Sequence, residues 1–130
     1  MYLQPDVIEK VISCINAGAL GVVIPEVSIG NSYWAQVRRF ERSFYVGDFS
    51  PEAARFFPRT VFYDARGYDE RLSAMEDYAF DRSVRSMGKI QRVETYLLHD
   101  EGSPTLISLC KKKSQYAQGM KSYMKILWKE

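Results

Sequence analysis

The sequence holds one histidine and two cysteines, so the side chains that most often bind transition metals or staple small domains are nearly absent. Cys14 and Cys110 stand far apart in the chain, which makes neither a zinc knuckle nor a disulfide framework and suits a reducing, cytoplasmic setting. No charge sign dominates. Eighteen basic against 16 acidic residues leave a formal net charge of +2, too little for a global pull toward nucleic acid. Long apolar runs are missing too. The run 19–25 is far shorter than the roughly 20 residues a spanning helix needs. Met1 is followed by the polar residues Gln4 and Asp6 instead of the basic stretch and apolar core of a secretory signal, so none is expected.

What the chain does hold is apolar bulk. Its 130 residues are 46% apolar and 14% aromatic, enough to bury one core, and residues 1–130 are expected to form a single domain. Pro5 and Asp6 suit the start of a helix, and Val7, Ile8, Val11, Ile12 and Ile15 recur at helical spacing up to Gly18. The β-branched run 20–25 predicts a strand covered on both faces in a mostly parallel sheet. Asn31 or Ser32 caps a second helix. Its stripe of Tyr33, Trp34, Val37, Phe40 and Phe44 is expected to pack inward, with Arg38, Arg39 and Arg42 on the remaining surface. Residues 46–52 read as a loop, 53–57 as a strand ended by Pro58, and 60–65 as a helical turn. A helix over 74–87 ends at Gly88, expected to be left-handed, and a strand over 90–98 follows. Beyond the polar turn 99–104, apolar residues from Leu106 to Trp128 predict one long helix with a lysine face, bent near Gly119. Helix and strand alternate, so the fold class is α/β.

The most informative segment is 76–88. Glu76 and Asp77 open an amphipathic helix and Arg82 and Arg85 lie one to two turns on, an arrangement that can hold a carboxylate at a cleft edge. Arg82 and Arg85 occupy different angular positions, so one of them is expected to face that cleft. The same acids also read as partners of the helix dipole with no catalytic part, and the arginines as solvated surface. His99, beside Asp100 and Glu101 at a strand end, reads either as a turn residue or as a metal ligand. Gly67 allows a tight turn that carries Tyr68 and Asp69 outward.

Five stretches taken in order resemble the second half of an inverting family 2 glycosyltransferase of the GT-A fold. They are Tyr2-Leu3-Gln4-Pro5-Asp6, Ala54-Arg55-Phe56-Phe57-Pro58-Arg59, Gly67-Tyr68-Asp69-Glu70, Glu76-Asp77 with Arg82, and His99 with the following Glu101-Gly102. The likeness runs over nearly the whole chain. It implies a partial GT-A-like, Rossmann-like mixed sheet with packing helices, lacking the N-terminal nucleotide-binding half and its Asp-x-Asp motif.

The resemblance further implies transfer of a sugar from a nucleotide-diphospho-sugar to a hydroxyl of a saccharide or lipid-linked acceptor. Asp77 would be the general base, Glu76 its neighbour in the acceptor site, and Arg82, Tyr68, Asp69 and Arg55 substrate contacts. His99 would complete a divalent-metal site, Mg or Mn, in the intact enzyme, with none bound by this chain alone. Without the donor half the chain is expected to be inactive, and its uncovered faces invite self-association. The lysine-rich tail allows peripheral contact with the inner face of a membrane. The reading from another class is a non-catalytic module whose basic and aromatic helix, 33–44, or whose lysine tail holds an anionic partner other than nucleic acid.

Overall fold

The computed structural model describes residues 1–47, 52–72 and 74–127. In chain order the elements are β1 (Tyr2–Leu3), α1 (Val7–Asn16), β2 (Gly21–Val23), β3 (Glu26–Ile29), α2 (Tyr33–Ser43), α3 (Arg59–Asp64), α4 (Glu76–Met87), β4 (Ile90–Arg92), β5 (Leu97–Asp100) and α5 (Leu106–Leu127). The architecture is mixed α/β. Most of the loop expected over 46–52 lies outside the described residues, as does Trp128 at the end of the last helix.

The strand expected over 20–25 forms as β2, fully buried, and pairs in parallel with β4. The single strand expected over 90–98 is instead two, β4 and β5, and β3 was not foreseen. Pro25 explains both. It has no N–H to donate, so the chain bends there and the ladder resumes one step on, with Pro25 O accepting from Leu97 N at 2.8 Å. Glu26–Ile29 then pairs in parallel with Leu97–Asp100, and Tyr2–Leu3 adds antiparallel to the far edge of β5, giving the order β1-β5-β3. The mostly parallel sheet thus becomes two small sheets end to end. Thr95, buried in the slack between β4 and β5, donates to Asp6 Oδ1 at 2.9 Å and ties the start of α1 to the sheet.

Val7 and Val11, one turn apart on α1, reach the main core with Ala19, Val22, Ile24, Val93 and Leu97. Ile8 and Ile12 remain about half exposed. A second core joins α3 and α4 through Val61, Phe80 and Val84, widened by the rings of Phe57 and Phe62.

Three expectations need correction. The strand over 53–57 is reduced to an isolated bridge between Phe56 and Val22, because the Ala54 N–H is taken by a side chain, Asp81, instead of a neighbouring strand. Gly88 is extended at φ 170°, not left-handed. A Cβ there would lie 2.8 Å from Leu20 Cδ1, so a larger residue would have to displace the end of that side chain. Helix α2 sits inside out relative to the pattern. Tyr33, Phe40 and Phe44 are 71%, 68% and 67% exposed, while the side chains of Arg38 and Arg42 are only 11% and 22% exposed. The helix meets the sheet through Ala35, fully buried against Gly30, where a Cβ would come within 2.6 Å. That close approach leaves no room for a layer of rings, and carboxylates on β3 and just after β5 draw the arginines in.

Candidate functional site

A cleft of about 890 Å³ opens between α2, the start of β3, the segment 52–55, α4 and α5. Its volume falls within the roughly 300–1,000 Å³ typical of small-molecule sites. Helix α4 supplies one wall. Asp77, Tyr78, Asp81, Arg82 and Arg85 all line it, a face wide enough for both arginines, where one was expected. Arg55 enters from the preceding segment and Arg38 and Arg42 from α2. Across the cleft α5 presents Lys112, Tyr116 and Met120. Ser32 caps α2 by accepting from Ala35 N at 3.2 Å, which fixes the helix that carries the two arginines.

The entry to α4 is strained. Met75, buried and 8% exposed, takes φ 70° and ψ 12°, the left-handed region that a non-glycine residue adopts at a cost of about 1–2 kcal/mol. This turn sends Glu76 and Asp77 in different directions. Asp77 opens to the cleft. One carboxylate oxygen of Glu76 is buried without a hydrogen-bond partner, and Glu76 is not among the lining residues. Loss of surrounding water pushes the Asp77 carboxyl above the ordinary aspartate value. The neighbouring Glu76 charge adds to this, while the Tyr78 N–H, 2.9 Å from Oδ1, and the Arg55 charge oppose it. Desolvation, followed by the Asp77 charge, also raises the Tyr78 hydroxyl, so it stays a neutral donor at the cleft wall.

Through the lining and just behind it runs a lattice of charge that the sequence did not reveal. Glu26 Oε2 accepts from Arg42 at 2.7 Å, and its other oxygen lies 3.0 Å from Arg55. Glu101 accepts from the buried Ser28 hydroxyl at 2.6 Å and stands 3.6 Å from Arg42 and 3.9 Å from Arg38. Burial alone would raise the Glu101 carboxyl. The Ser28 hydroxyl and the two arginines outweigh it and hold Glu101 below the ordinary glutamate range. Arg38 also donates to Glu41 at 2.8 Å, and Lys113 of α5 reaches the same carboxylate. Asp81, buried, accepts from Ala54 N at 2.7 Å and pairs with Arg85 at 2.5 Å, which clamps the segment carrying Arg55 onto α4. The one legible signal for this lattice was the alternation of Glu26 and Ser28, polar positions on one face of an unrecognised strand.

The cleft brings together Asp77, Arg82 and Arg55. Tyr68 and Asp69 lie outside its lining: the Tyr68 ring packs on Phe62 and Phe80, and Asp69 is held at about 2 by the Arg71 guanidinium and backbone N–H. His99 stands behind Glu26, with Nδ1 buried, unpartnered and 3.9 Å from Glu26 Oε2. That carboxylate is already engaged by Arg42 and Arg55, and no group of three or more possible ligands forms among the described residues. The donors present here therefore do not by themselves fit a divalent metal.

No protein-family model, no curated protein and no solved structure matches the chain. Among the described residues, no helix is long and apolar enough to cross a membrane.

Proposed function

We propose that this chain is the acceptor-side half of an inverting glycosyltransferase that moves a sugar from a nucleotide-diphospho-sugar to a hydroxyl, with Asp77 as general base. The observation that carries the reading is the setting of Asp77. Its carboxylate lies on the wall of an open cleft, with Arg55 and Arg82 on the same lining and part of its water removed. In the reaction the acceptor hydroxyl gives its proton to Asp77 as its oxygen forms the new bond to the anomeric carbon. The old bond from that carbon breaks on the opposite face, and its electron pair leaves with the diphosphate. The donor, and the divalent metal the resemblance implies, are held in this reading by a donor-binding half outside these residues, in a cytoplasmic enzyme.

In the enzyme that joins both halves, Asp77→Asn is expected to cut turnover about a hundredfold or more with nucleotide-sugar affinity unchanged, given the usual worth of a positioned base. The wild-type rate should fall as pH drops through a value above the 3.8 of an ordinary aspartate, because only the ionised carboxylate takes the proton. Turnover untouched by Asp77→Asn sinks the assignment. The binding-module reading has less support. Its helix form needs a cationic outer face on α2, yet Arg38 and Arg42 turn inward onto carboxylates.

A further inference from the structure

The charges that line the cleft are mostly matched. Arg42 and Arg55 share Glu26, Arg85 holds Asp81, and Arg38 and Lys113 meet on Glu41, with Glu101 close to both α2 arginines. Arg82 and Lys112 are different. Both line the cleft, from α4 and α5 on opposite walls, and neither has a hydrogen-bond or ion-pair partner among the described residues. Both side chains are exposed and solvated, and unmatched cations on one cleft lining raise the local concentration of anions there. A guanidinium fork facing an ammonium suits an oxyanion: the first takes two oxygens in one plane, the second a single strong contact. The same lining carries Tyr78, Tyr116, Tyr123 and Met120, flat or apolar surfaces of the kind on which sugar rings lie.

We propose that the saccharide entering this cleft is acidic, bearing a carboxylate or a phosphate that Arg82 and Lys112 clasp from opposite walls. The proposal rests on the transferase reading only for the sugar; the requirement for an anion comes from the unmatched pair. Asp77 then faces the hydroxyl side of a ring whose acid group is held away from it, which keeps two like charges apart.

The test uses the chain itself, titrated by calorimetry and by amide chemical shifts. The probes are trigalacturonate with its methyl ester, and glucose 6-phosphate with glucose. The charged member of at least one pair should bind at least tenfold more tightly than its neutral partner, and the tighter pair tells carboxylate from phosphate. Arg82→Gln and Lys112→Gln should each weaken that binding about tenfold, while Arg39→Gln, on the outer side of α2, leaves it unchanged. Both variants change exposed side chains, so folding is checked by their amide spectra. Equal affinity for neutral and charged probes overturns the acidic assignment and leaves the transferase reading standing. No binding of any probe, or charged-probe binding indifferent to both substitutions, overturns it as well. So does uridine diphosphate displacing the sugars with the same dependence on Arg82 and Lys112, which would give the pair to the donor. Retained, Arg82-dependent sugar binding combined with an Asp77→Asn enzyme of full activity would remove Asp77 as the base and leave the acidic assignment standing.

Discussion

Replacing Asp81 by alanine tests whether the clamp between α4 and the segment before α3 holds the cleft together. Asp81 is 7% exposed, and its Oδ1 accepts the N–H of Ala54, itself 7% exposed. Without the carboxylate that N–H has no other partner within reach, and leaving a buried donor unmade costs about 1–3 kcal/mol. The lost pair with Arg85 adds about 1 kcal/mol at most, because the Arg85 side chain is 32% exposed and turns to water. The sum is about 1–4 kcal/mol. For a chain of this size each kcal/mol moves the midpoint by roughly 3–5 °C, so Asp81→Ala should melt about 3–20 °C below wild type by circular dichroism. Asp81→Asn keeps an acceptor oxygen for Ala54 and should recover more than half of the loss. An alanine variant within about 2 °C of wild type, or an asparagine variant as unstable as the alanine one, refutes the clamp.

The seat of α5 is tested at Gly119, where an added Cβ would lie 2.4 Å from Ala74 Cβ. Gly119→Ala should lower the midpoint even though alanine favours a helix by about 1 kcal/mol, and adding Ala74→Gly should restore it. A plain stabilisation by Gly119→Ala would show that the helix is not packed at that point. Acid should weaken the hold of α2 on the sheet, through Glu101, and on α5, through Glu41. Glu101 and Glu41 both titrate below the 4.5 of free glutamate in the fold, so their contribution is complete above that value and drains away as pH falls through the lower folded values. Melting followed from pH 7 to 3 should decline below about 4.5, and Glu101→Gln should flatten that decline; an unchanged slope in the variant removes Glu101 from the account.

Helices were legible because their period survives burial on one side. The spacing of Val7 and Val11 and the apolar positions of α4 mark faces that the fold does bury. Strand breaks were not legible. Pro25 reads as the end of one strand, yet physically it bends a chain that goes on pairing, and the residues just past it alternate Glu26, Val27, Ser28 and Ile29 without an apolar excess. The inversion of α2 has the same origin. An aromatic stripe normally marks the inner face of a helix, but that rule assumes an apolar sheet beneath it. Here the facing surface carries Glu26, Ser28 and, just past β5, Glu101, so the arginines gain more by turning in than the rings would.

The same reasoning separates the residues of the site. Asp77 was legible because an acidic pair at a helix start is a local pattern; which of the two carboxylates reaches the cleft was not, since that follows from the left-handed turn at Met75. The partner that positions Arg55 was not, since Glu26 lies far from it in sequence and meets it only after β3 and the bridge at Phe56 have formed. Arg82 and Arg85 illustrate the limit most directly. In sequence they are equivalent cations on one helix; in the fold Arg85 is neutralised by Asp81 one turn back, while Arg82, one residue past that carboxylate, faces the cleft with its charge unspent. One residue of helical phase therefore decides which arginine is tied to Asp81 and which stands in the cleft without that partner.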